Sequence, residues 1–168
     1  AMTAPEPELT AIAAEVLGVC RKRGLTIGVA ESLTGGLLCA ALTAVPGASS
    51  VVRGGVVAYA TDRKAAVLGV SEELLEARGA VDPDVALAMA RGVCTVMGTD
   101  VGLATTGVAG PDPQDGQPVG RVYLALVGPE LHWVLNPDLN GDRDEIREQS
   151  VRQLLELAAE LLATPVNR

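Results

Sequence analysis

Aromatic residues are scarce in this sequence, whose 168 residues include one Trp, two Tyr and no Phe. Proteins that bind single-stranded nucleic acid stack bases on aromatic side chains, so this composition argues against that class. Basic charge is also in deficit, because 13 Lys and Arg stand against 21 Asp and Glu, a formal net charge of −8. A duplex-binding protein needs a basic surface, and we therefore expect no nucleic-acid partner.

Cysteine and histidine are equally sparse, which restricts the available metal and catalytic chemistry. The three cysteines, Cys20, Cys39 and Cys94, are widely separated and show no Cys/His spacing typical of zinc sites or disulfide frameworks. We therefore expect no metal. The single histidine, His132, falls in a predicted hairpin away from the polar strand ends, which disfavours a Ser-His-Asp triad.

The sequence contains neither an apolar run of membrane-spanning length nor a recognisable signal peptide. We therefore expect a cytoplasmic protein with no membrane partner. Its length predicts a single domain over residues 1–168, large enough for a sizeable core, which must be built from Ala, Val, Leu and Ile.

Residues 25–36, reading LTIGVAESLTGG, predict a buried strand, a tight polar turn and the start of a helix. The helical spacing of apolar residues begins at Leu37 and stops at Pro46-Gly47. Ser32 would then lie at the carboxyl end of a strand, where free N–H groups of a helix start can stabilise an oxyanion. A serine before a helix is also an ordinary N-cap, so both interpretations remain open at this point.

Strands and helices alternate along the rest of the chain. Helices are predicted from Leu9 to Gly24 and from start signals at Ser71, Asp82 and Asp142. Further strands are predicted over residues 51–60, 101–106, 119–127 and 131–135, the last two forming a hairpin. Gly54-Gly55 inside the second strand indicates a bulge or a close backbone approach. This order predicts a three-layer α/β/α sandwich with a mixed, mostly parallel sheet of about five strands.

Polar turns are predicted at the carboxyl ends of three strands, at Ser32, at Tyr59 and over residues 105–110. Ligands of such sheets bind at this edge. A serine nucleophile without histidine needs another base, and a lysine serves when burial lowers its pKa. Lys64 follows the second strand and can approach Ser32 if the two strands are neighbours. The alternative is an ordinary surface lysine.

Six motifs in order carry a resemblance to the C-terminal domain of the CinA competence/damage-inducible family, over residues 9–162. They are AESLTGG (30–36), GGVVAYATDRK (54–64), LGV (68–70), ATTGVAGP (104–111), PVGRVY (118–123) and GDRDEIR (141–147). The family includes free-standing nicotinamide-nucleotide amidohydrolases, the PncC type. The resemblance implies deamidation of nicotinamide mononucleotide to nicotinic acid mononucleotide and ammonia, without a cofactor, by a homo-oligomer. Larger family members carry a molybdopterin-binding-like domain, which is expected to be absent here.

The resemblance assigns catalysis to Ser32 as nucleophile, Lys64 as base and Tyr59, which would orient Lys64 or relay a proton. Substrate binding is expected from the polar turns and the last helix, at Glu31, Thr34, Gly35, Gly36, Thr105, Thr106, Gly107, Gly110, Arg143 and Arg147. The turn at 105–110 would cradle a phosphate, and the two arginines would pair with it. The arginines equally fit a solvated helix face beside Asp144 and Glu148.

Two segments near the predicted pocket depart from the family's usual pattern. Ala60-Thr61 stands where members often have Ser-Asn, and residues 112–115 replace a glycine cluster. A second hypothesis therefore stays beside the amidohydrolase: a catalytically silent nucleotide-binding or scaffold module of the same fold. The intact trio Ser32, Tyr59 and Lys64 favours the enzyme.

Overall fold

A computed structural model describes residues 7–164, which form six helices, five strands and a short 3-10 turn over Ala48–Ser50. The helices are α1 (Pro7–Arg23), α2 (Leu37–Thr43), α3 (Thr61–Leu68), α4 (Glu72–Arg78), α5 (Pro83–Met97) and α6 (Arg143–Ala163). The strands are β1 (Ile27–Glu31), β2 (Val52–Val57), β3 (Val101–Gly107), β4 (Val122–Gly128) and β5 (Leu131–Leu135).

The five strands form one sheet in the order β2-β1-β3-β4-β5. β1 pairs in parallel with both β2 and β3, whereas β3, β4 and β5 pair in antiparallel fashion. The expected mixed sheet of five strands is therefore confirmed, and the predicted hairpin is β4 and β5.

Two hydrophobic clusters cover the two faces of this sheet. One joins buried residues of α1, α2 and α6, such as Leu17, Leu38 and Leu154, to Val29 and Leu103 of the sheet. The other joins buried residues of α3, α4 and α5 to Ala30, Ala104 and Ala125. Side chains alternate between the faces of a strand, so consecutive residues such as Leu103 and Ala104 serve opposite clusters. The α/β/α sandwich is confirmed.

The predicted bulge lies at Arg53, next to the double glycine in β2. The register with β1 shifts there, so that Ile27 pairs with Val52 but Gly28 pairs with Gly54. Gly55 also has no room for a side chain, because a Cβ would lie 2.6 Å from Cγ2 of Val29. Both alternatives that the sequence indicated therefore occur together.

Helix α3 was not predicted and is the main difference between expectation and structure. Only two of its eight residues are buried, Lys64 and Leu68, so its sequence shows no apolar helical period. Gly69 ends it in the left-handed region at φ 71°. Gly92 of α5 allows a close approach, since a Cβ there would lie 1.9 Å from the Leu68 carbonyl oxygen. This packing fixes α3 against α5.

The parallel strands β2, β1 and β3 all end at the same edge of the sheet. The chain leaves β1 through α2 to reach β2 on one side, and returns through α3, α4 and α5 to β3 on the other. The crevice at this change of direction is where ligands bind in open α/β sheets. The polar turns singled out in the sequence lie here.

Candidate active site

The ends of β1 and β2 place a lysine directly against a serine. Nζ of Lys64, from the first turns of α3, lies 2.9 Å from Oγ of Ser32, in the turn after β1. Both side chains are buried, with Lys64 1% and Ser32 7% exposed. Because Lys64 is buried, it is not an ordinary surface lysine. Strands β1 and β2 are neighbours, as a contact between Ser32 and Lys64 requires.

Lys64 is held by two further oxygens, both from the segment between β2 and α3. Its Nζ lies 2.8 Å from the Ala58 carbonyl oxygen and 3.2 Å from that of Tyr59. A neutral amine has two hydrogens and one lone pair. The two carbonyls take the hydrogens, so the lone pair is left to accept the proton of the Ser32 hydroxyl.

Burial lowers the pKa of Lys64 from its ordinary 10.5 to about 8, because a charged ammonium loses its hydration there. The negative charge of Asp115 acts in the opposite direction and raises this pKa. The lysine therefore carries a substantial neutral fraction near physiological pH, which a base requires.

The turn after Ser32 supplies N–H groups without protein acceptors. Ser32 N–H itself donates to the Thr105 carbonyl at 3.1 Å, and that of Gly35 donates to Ser32 O. Among the described residues, the N–H groups of Leu33, Thr34 and Gly36 have no acceptor. Gly35 and Gly36 adopt φ of 55° and 109°, which glycine accommodates without strain. These three N–H groups are available to bind an oxyanion.

Glu31 lies behind the turn rather than in the cavity. Its carboxylate is 1% exposed and accepts from Leu38 N–H at 2.8 Å, Cys39 N–H at 3.1 Å and the Thr34 hydroxyl at 2.6 Å. It thus caps the start of α2, where a negative charge is stabilised by free N–H groups. The expected direct contact of Glu31 with a substrate does not fit this arrangement.

A chain of buried hydroxyls connects this carboxylate to Ser32. The Thr34 hydroxyl donates its proton to Glu31. At the 2.8 Å contact between the hydroxyls of Thr34 and Thr105, the Thr105 hydroxyl must therefore be the donor. Oγ1 of Thr105 then accepts from Ser32 N–H at 3.3 Å. Both threonines are fully buried, so their hydroxyls support the turn and do not reach a ligand.

Tyr59 lines the cavity, and the residue is 62% exposed. Its hydroxyl accepts from Nη2 of Arg143 at 3.2 Å, and only its main-chain carbonyl contacts Lys64. The expected orientation of Lys64 therefore comes from the Tyr59 backbone. The side chain pairs with α6 instead.

A cavity of about 360 Å³ opens beside Ser32. It is lined by Ser32, Leu33, Tyr59, Arg143, residues 80–81 and the segment 106–114. Gly107 and Gly110 line it as expected, and the N–H groups of Ala109 and Gly110 have no acceptor among the described residues. The Thr106 hydroxyl is engaged, because it donates to Ala80 O at 2.7 Å.

The two arginines of α6 have different environments. Arg143 lines the cavity and donates to the Gly110 carbonyl at 2.5 Å. Arg147 lies outside the cavity lining and donates to the carbonyls of Leu33 at 2.9 Å and Thr34 at 3.5 Å. Arg143 is placed to meet a ligand, whereas Arg147 holds the turn.

Sequence reasoning missed the wall formed by Ala80 and Val81, which precede α5. The Asp82-Pro83 helix start located this segment, but nothing in its own residues marked a binding role. Asp115 was noted only as a departure from the family, although its carboxylate accepts from Ala80 N–H at 3.3 Å.

The described residues offer little else for catalysis. No group of three or more His, Cys, Asp or Glu side chains is arranged for a metal within residues 7–164. Cys20, Cys39 and Cys94 are free thiols, and His132 lies on β5, as predicted. None of the helices described here is long and apolar enough to cross a membrane.

Fold and site together define a class: an α/β sandwich with a buried Ser-Lys pair in a cavity at the carboxyl edge of its parallel strands. Residues 9–162 match the model of the CinA C-terminal domain. The chain belongs to this family, and the resemblance in the motifs is confirmed.

Relatives of known sequence and structure agree with this assignment. A CinA-like protein of Frankia casuarinae is 51% identical over 148 residues, which cover 88% of this chain and 34% of that protein. A CinA-like protein of Desulfotalea psychrophila is 46% identical, covering 81% of this chain and 33% of that protein. The chain thus spans about a third of the length of these curated relatives.

Solved structures show the same fold. The competence/damage inducible protein CihA of Agrobacterium tumefaciens is 36% identical and superposes with a TM-score of 0.87 over 95% of this chain and 99% of that one. A CinA superfamily protein of Klebsiella pneumoniae is 31% identical, with a TM-score of 0.89 over 92% and 98%. The cytoplasmic location and the homo-oligomer remain predictions.

Proposed function

We propose that this domain is an amidohydrolase that removes ammonia from the carboxamide of nicotinamide mononucleotide. The observation that carries the proposal is the 2.9 Å contact between Lys64 Nζ and Ser32 Oγ, both buried beside the cavity. A lysine in this position, with its pKa lowered by burial, replaces the histidine of other serine hydrolases. A silent binding module would have no need for this arrangement.

The proposed reaction passes through an acyl-enzyme on Ser32. Neutral Lys64 takes the proton of the Ser32 hydroxyl, and Oγ bonds to the carboxamide carbon. N–H groups of the turn at 33–36 hold the oxyanion, a contact whose loss costs other enzymes about 3–4 kcal/mol. The carbon–nitrogen bond breaks as Lys64 returns the proton to the departing ammonia. Water, deprotonated by Lys64, then attacks the ester, which releases the carboxylic acid and the Ser32 hydroxyl.

The remainder of the cavity supports a nucleotide substrate. Its volume of about 360 Å³ falls in the range of small-molecule sites. The guanidinium of Arg143 and the N–H groups of Ala109 and Gly110 offer charge and hydrogen bonds to a phosphate. Gly107 and Gly110 also line the cavity, but their lack of a side chain is required by the protein's own packing, since a Cβ on Gly110 would meet Val119 at 2.7 Å and one on Gly107 would meet the Arg121 carbonyl oxygen at 2.7 Å.

The test is ammonia release from nicotinamide mononucleotide by the purified protein and its variants. Ser32→Ala and Lys64→Met are expected to lose at least about a thousandfold in kcat/KM, since nucleophile and base act as one unit. Lys64→Arg should be as inactive, because an arginine side chain stays protonated. Lys22→Met and Ser50→Ala, which alter the only other lysine and an exposed serine, should keep the native rate.

Acid quench during turnover followed by peptide mass analysis gives a second readout. The acyl group of the substrate should be found on the peptide that contains Ser32 and be missing from the Ser32→Ala protein. Undiminished ammonia release by Ser32→Ala would remove the nucleophile from its role. A native protein that releases no ammonia from this substrate would contradict the proposed activity.

A further inference from the structure

The main chain of Ser32 is tied to the end of β3. Its N–H group donates to two oxygens of one residue, the carbonyl of Thr105 at 3.1 Å and the hydroxyl of Thr105 at 3.3 Å. Both residues are buried, so these two bonds lie in the protein interior. The N–H group of the proposed nucleophile is therefore already occupied by the protein.

This occupancy limits which groups can hold an oxyanion. In chymotrypsin-like proteases the N–H of the nucleophilic serine is itself one of the oxyanion donors. Here that N–H points to Thr105. Among the described residues, the N–H groups of the turn without an acceptor are those of Leu33, Thr34 and Gly36. The available oxyanion donors thus all follow the serine in the chain.

The Thr105 hydroxyl accepts from Ser32 because its own hydrogen is directed elsewhere. A threonine hydroxyl has one hydrogen and two lone pairs. The Thr105 hydrogen goes to the Thr34 hydroxyl, 2.8 Å away, since the Thr34 hydrogen goes to Glu31 at 2.6 Å. A lone pair of Thr105 is then left for the Ser32 N–H.

Glu31 sets the direction of these hydroxyl bonds. Its carboxylate can only accept, and it takes two further hydrogen bonds from the N–H groups of Leu38 at 2.8 Å and Cys39 at 3.1 Å. Glu31 is buried, and a buried carboxylate that loses a donor is destabilised. The Thr34 hydrogen therefore stays on Glu31, and the order of donors along the chain of hydroxyls is fixed.

We propose that Thr105 is a positioning residue, which holds the Ser32 N–H in the interior and thereby orients the turn that presents the later N–H groups to the oxyanion. Glu31 acts with it through Thr34. The inference rests on the proposed function, because the oxyanion belongs to the proposed acyl transfer. Three residues whose sequence pattern indicated substrate binding thus act behind the turn.

Thr105→Val tests this role, because valine keeps the shape of the side chain and removes the hydroxyl. We expect kcat for nicotinamide mononucleotide to fall about 10- to 100-fold, since the turn no longer holds its N–H groups in place. KM should stay near the native value, because no contact to the substrate is lost. Thr105→Ser returns the hydroxyl and should recover most of the native kcat.

Ser150→Ala is the control for the loss of a buried hydroxyl. Ser150 is fully buried like Thr105, but its hydroxyl donates to the Ile146 carbonyl at 2.7 Å, within α6. This variant should keep the native kcat and KM. A loss of kcat in Ser150→Ala equal to that in Thr105→Val would reduce the effect to general stability and overturn the inference.

A double-mutant cycle tests whether the hydroxyls act as one chain. Thr34→Val removes the hydroxyl that accepts from Thr105 and should lower kcat by about tenfold at native KM. If both hydroxyls act through the Ser32 N–H, the double variant should be no slower than Thr105→Val. Effects that multiply would contradict a shared route. Thr34→Val also carries the comparison with Ser150→Ala should Thr105→Val not fold.

A reagent without a nucleotide separates this inference from the proposed substrate. An alkyl fluorophosphonate bonds to Ser32 Oγ through phosphorus and releases fluoride, and its rate depends on the nucleophile and the oxyanion donors. Mass analysis of the Ser32 peptide should show slower modification in Thr105→Val and recovery in Thr105→Ser. Native rates of modification and turnover in Thr105→Val overturn the inference. If modification follows the expected order but no protein releases ammonia, the positioning role stands and the proposed activity fails.

Discussion

At the scale of single residues, burying the Lys64 side chain costs the fold free energy. It is 1% exposed, and its charged form has no carboxylate in contact among the described residues. Lowering a lysine pKa from 10.5 to about 8 corresponds to about 3 kcal/mol against the charged form. A fold that keeps this residue gives up stability at the place where the proposed reaction needs a neutral amine.

This cost predicts a pH-dependent stability that belongs to Lys64 alone. The pKa is lower in the folded than in the unfolded protein, so between about pH 8 and 10.5 the unfolded state binds more protons. Stability therefore rises with pH through that window, and the deficit is fully present below it. Relative to Lys64→Met, the wild type should gain about 2–3 kcal/mol in free energy of unfolding between pH 7 and 10.5.

Urea denaturation of both proteins at the two pH values measures this difference. Groups that titrate alike in both proteins cancel in the comparison. Lys22→Met, which removes the other lysine, serves as control and should track the wild type at every pH. Parallel curves for the wild type and Lys64→Met would show that burial does not disfavour the charged form.

Single residues also show what a sequence can and cannot indicate about a site. Ser32 and Lys64 could be selected because a strand end, a glycine turn and a lysine after the next strand are local patterns. Glu31 was expected to bind substrate, but it adjoins Ser32, and alternation on a strand points adjacent side chains to opposite faces. Whether a carboxylate caps a helix or meets a ligand depends on the path of the turn, which Gly35 and Gly36 determine.

At the scale of elements, α6 carries two arginines in consecutive turns that contact different parts of the site. Arg143 reaches the cavity, the Gly110 carbonyl and the Tyr59 hydroxyl, whereas Arg147 reaches the carbonyls of the serine turn. The capping box of Asp142 and Glu145 fixes where the helix begins, and thereby where both side chains emerge. The sequence alone left both arginines between a phosphate site and a solvated face.

These positions predict that two substitutions in one helix affect different kinetic constants. Arg143→Met should raise KM about 10- to 100-fold, because it removes the proposed charge-assisted contact to the substrate phosphate. Arg147→Met should mainly lower kcat, by about tenfold, because the turn that carries the nucleophile loses its support. Steady-state kinetics with nicotinamide mononucleotide separates the two parameters.

Arg152→Met is the control for this pair, since Arg152 lies on the same helix but pairs with Glu8 of α1 at 2.9 Å. Its kinetic constants should match those of the wild type. A rise in KM for Arg147→Met with unchanged kcat would place that residue in substrate binding. The same result for Arg143→Met and Arg152→Met would leave no specific role for Arg143.

Elements also differ in how well the sequence predicts them. The five strands and the long helices follow from apolar periodicity and clear start and stop signals. Helix α3 escaped because its eight residues include only two that are buried, and one of them is the lysine. A functional side chain in a core position weakens the hydrophobic pattern by which a helix is predicted.

At the scale of the whole molecule, net charge indicates whether the domain binds DNA, a question raised by the family's competence and damage names. The protein carries a formal net charge of −8 at neutral pH. Its densest basic segment is Arg21–Arg23 at the end of α1, where Arg23 donates to the Leu162 carbonyl and Arg21 to that of Gly47. These cations lie in the last turn of α1, where they complement the helix dipole, and two of them donate to backbone carbonyls.

We therefore predict that the domain does not bind duplex DNA, since binding depends on releasing counterions from phosphates contacted by Lys and Arg. The fluorescence anisotropy of a labelled duplex should stay constant as protein is added at low salt, where electrostatic binding is strongest. A variant with Arg21, Lys22 and Arg23 replaced by Gln should give the same flat titration. A rise in anisotropy that weakens with added salt and is lost in this variant would reveal a local basic site that outweighs the net charge. In that case the C-terminal end of α1, and not only the cavity, would have to be considered in assigning the function of the domain.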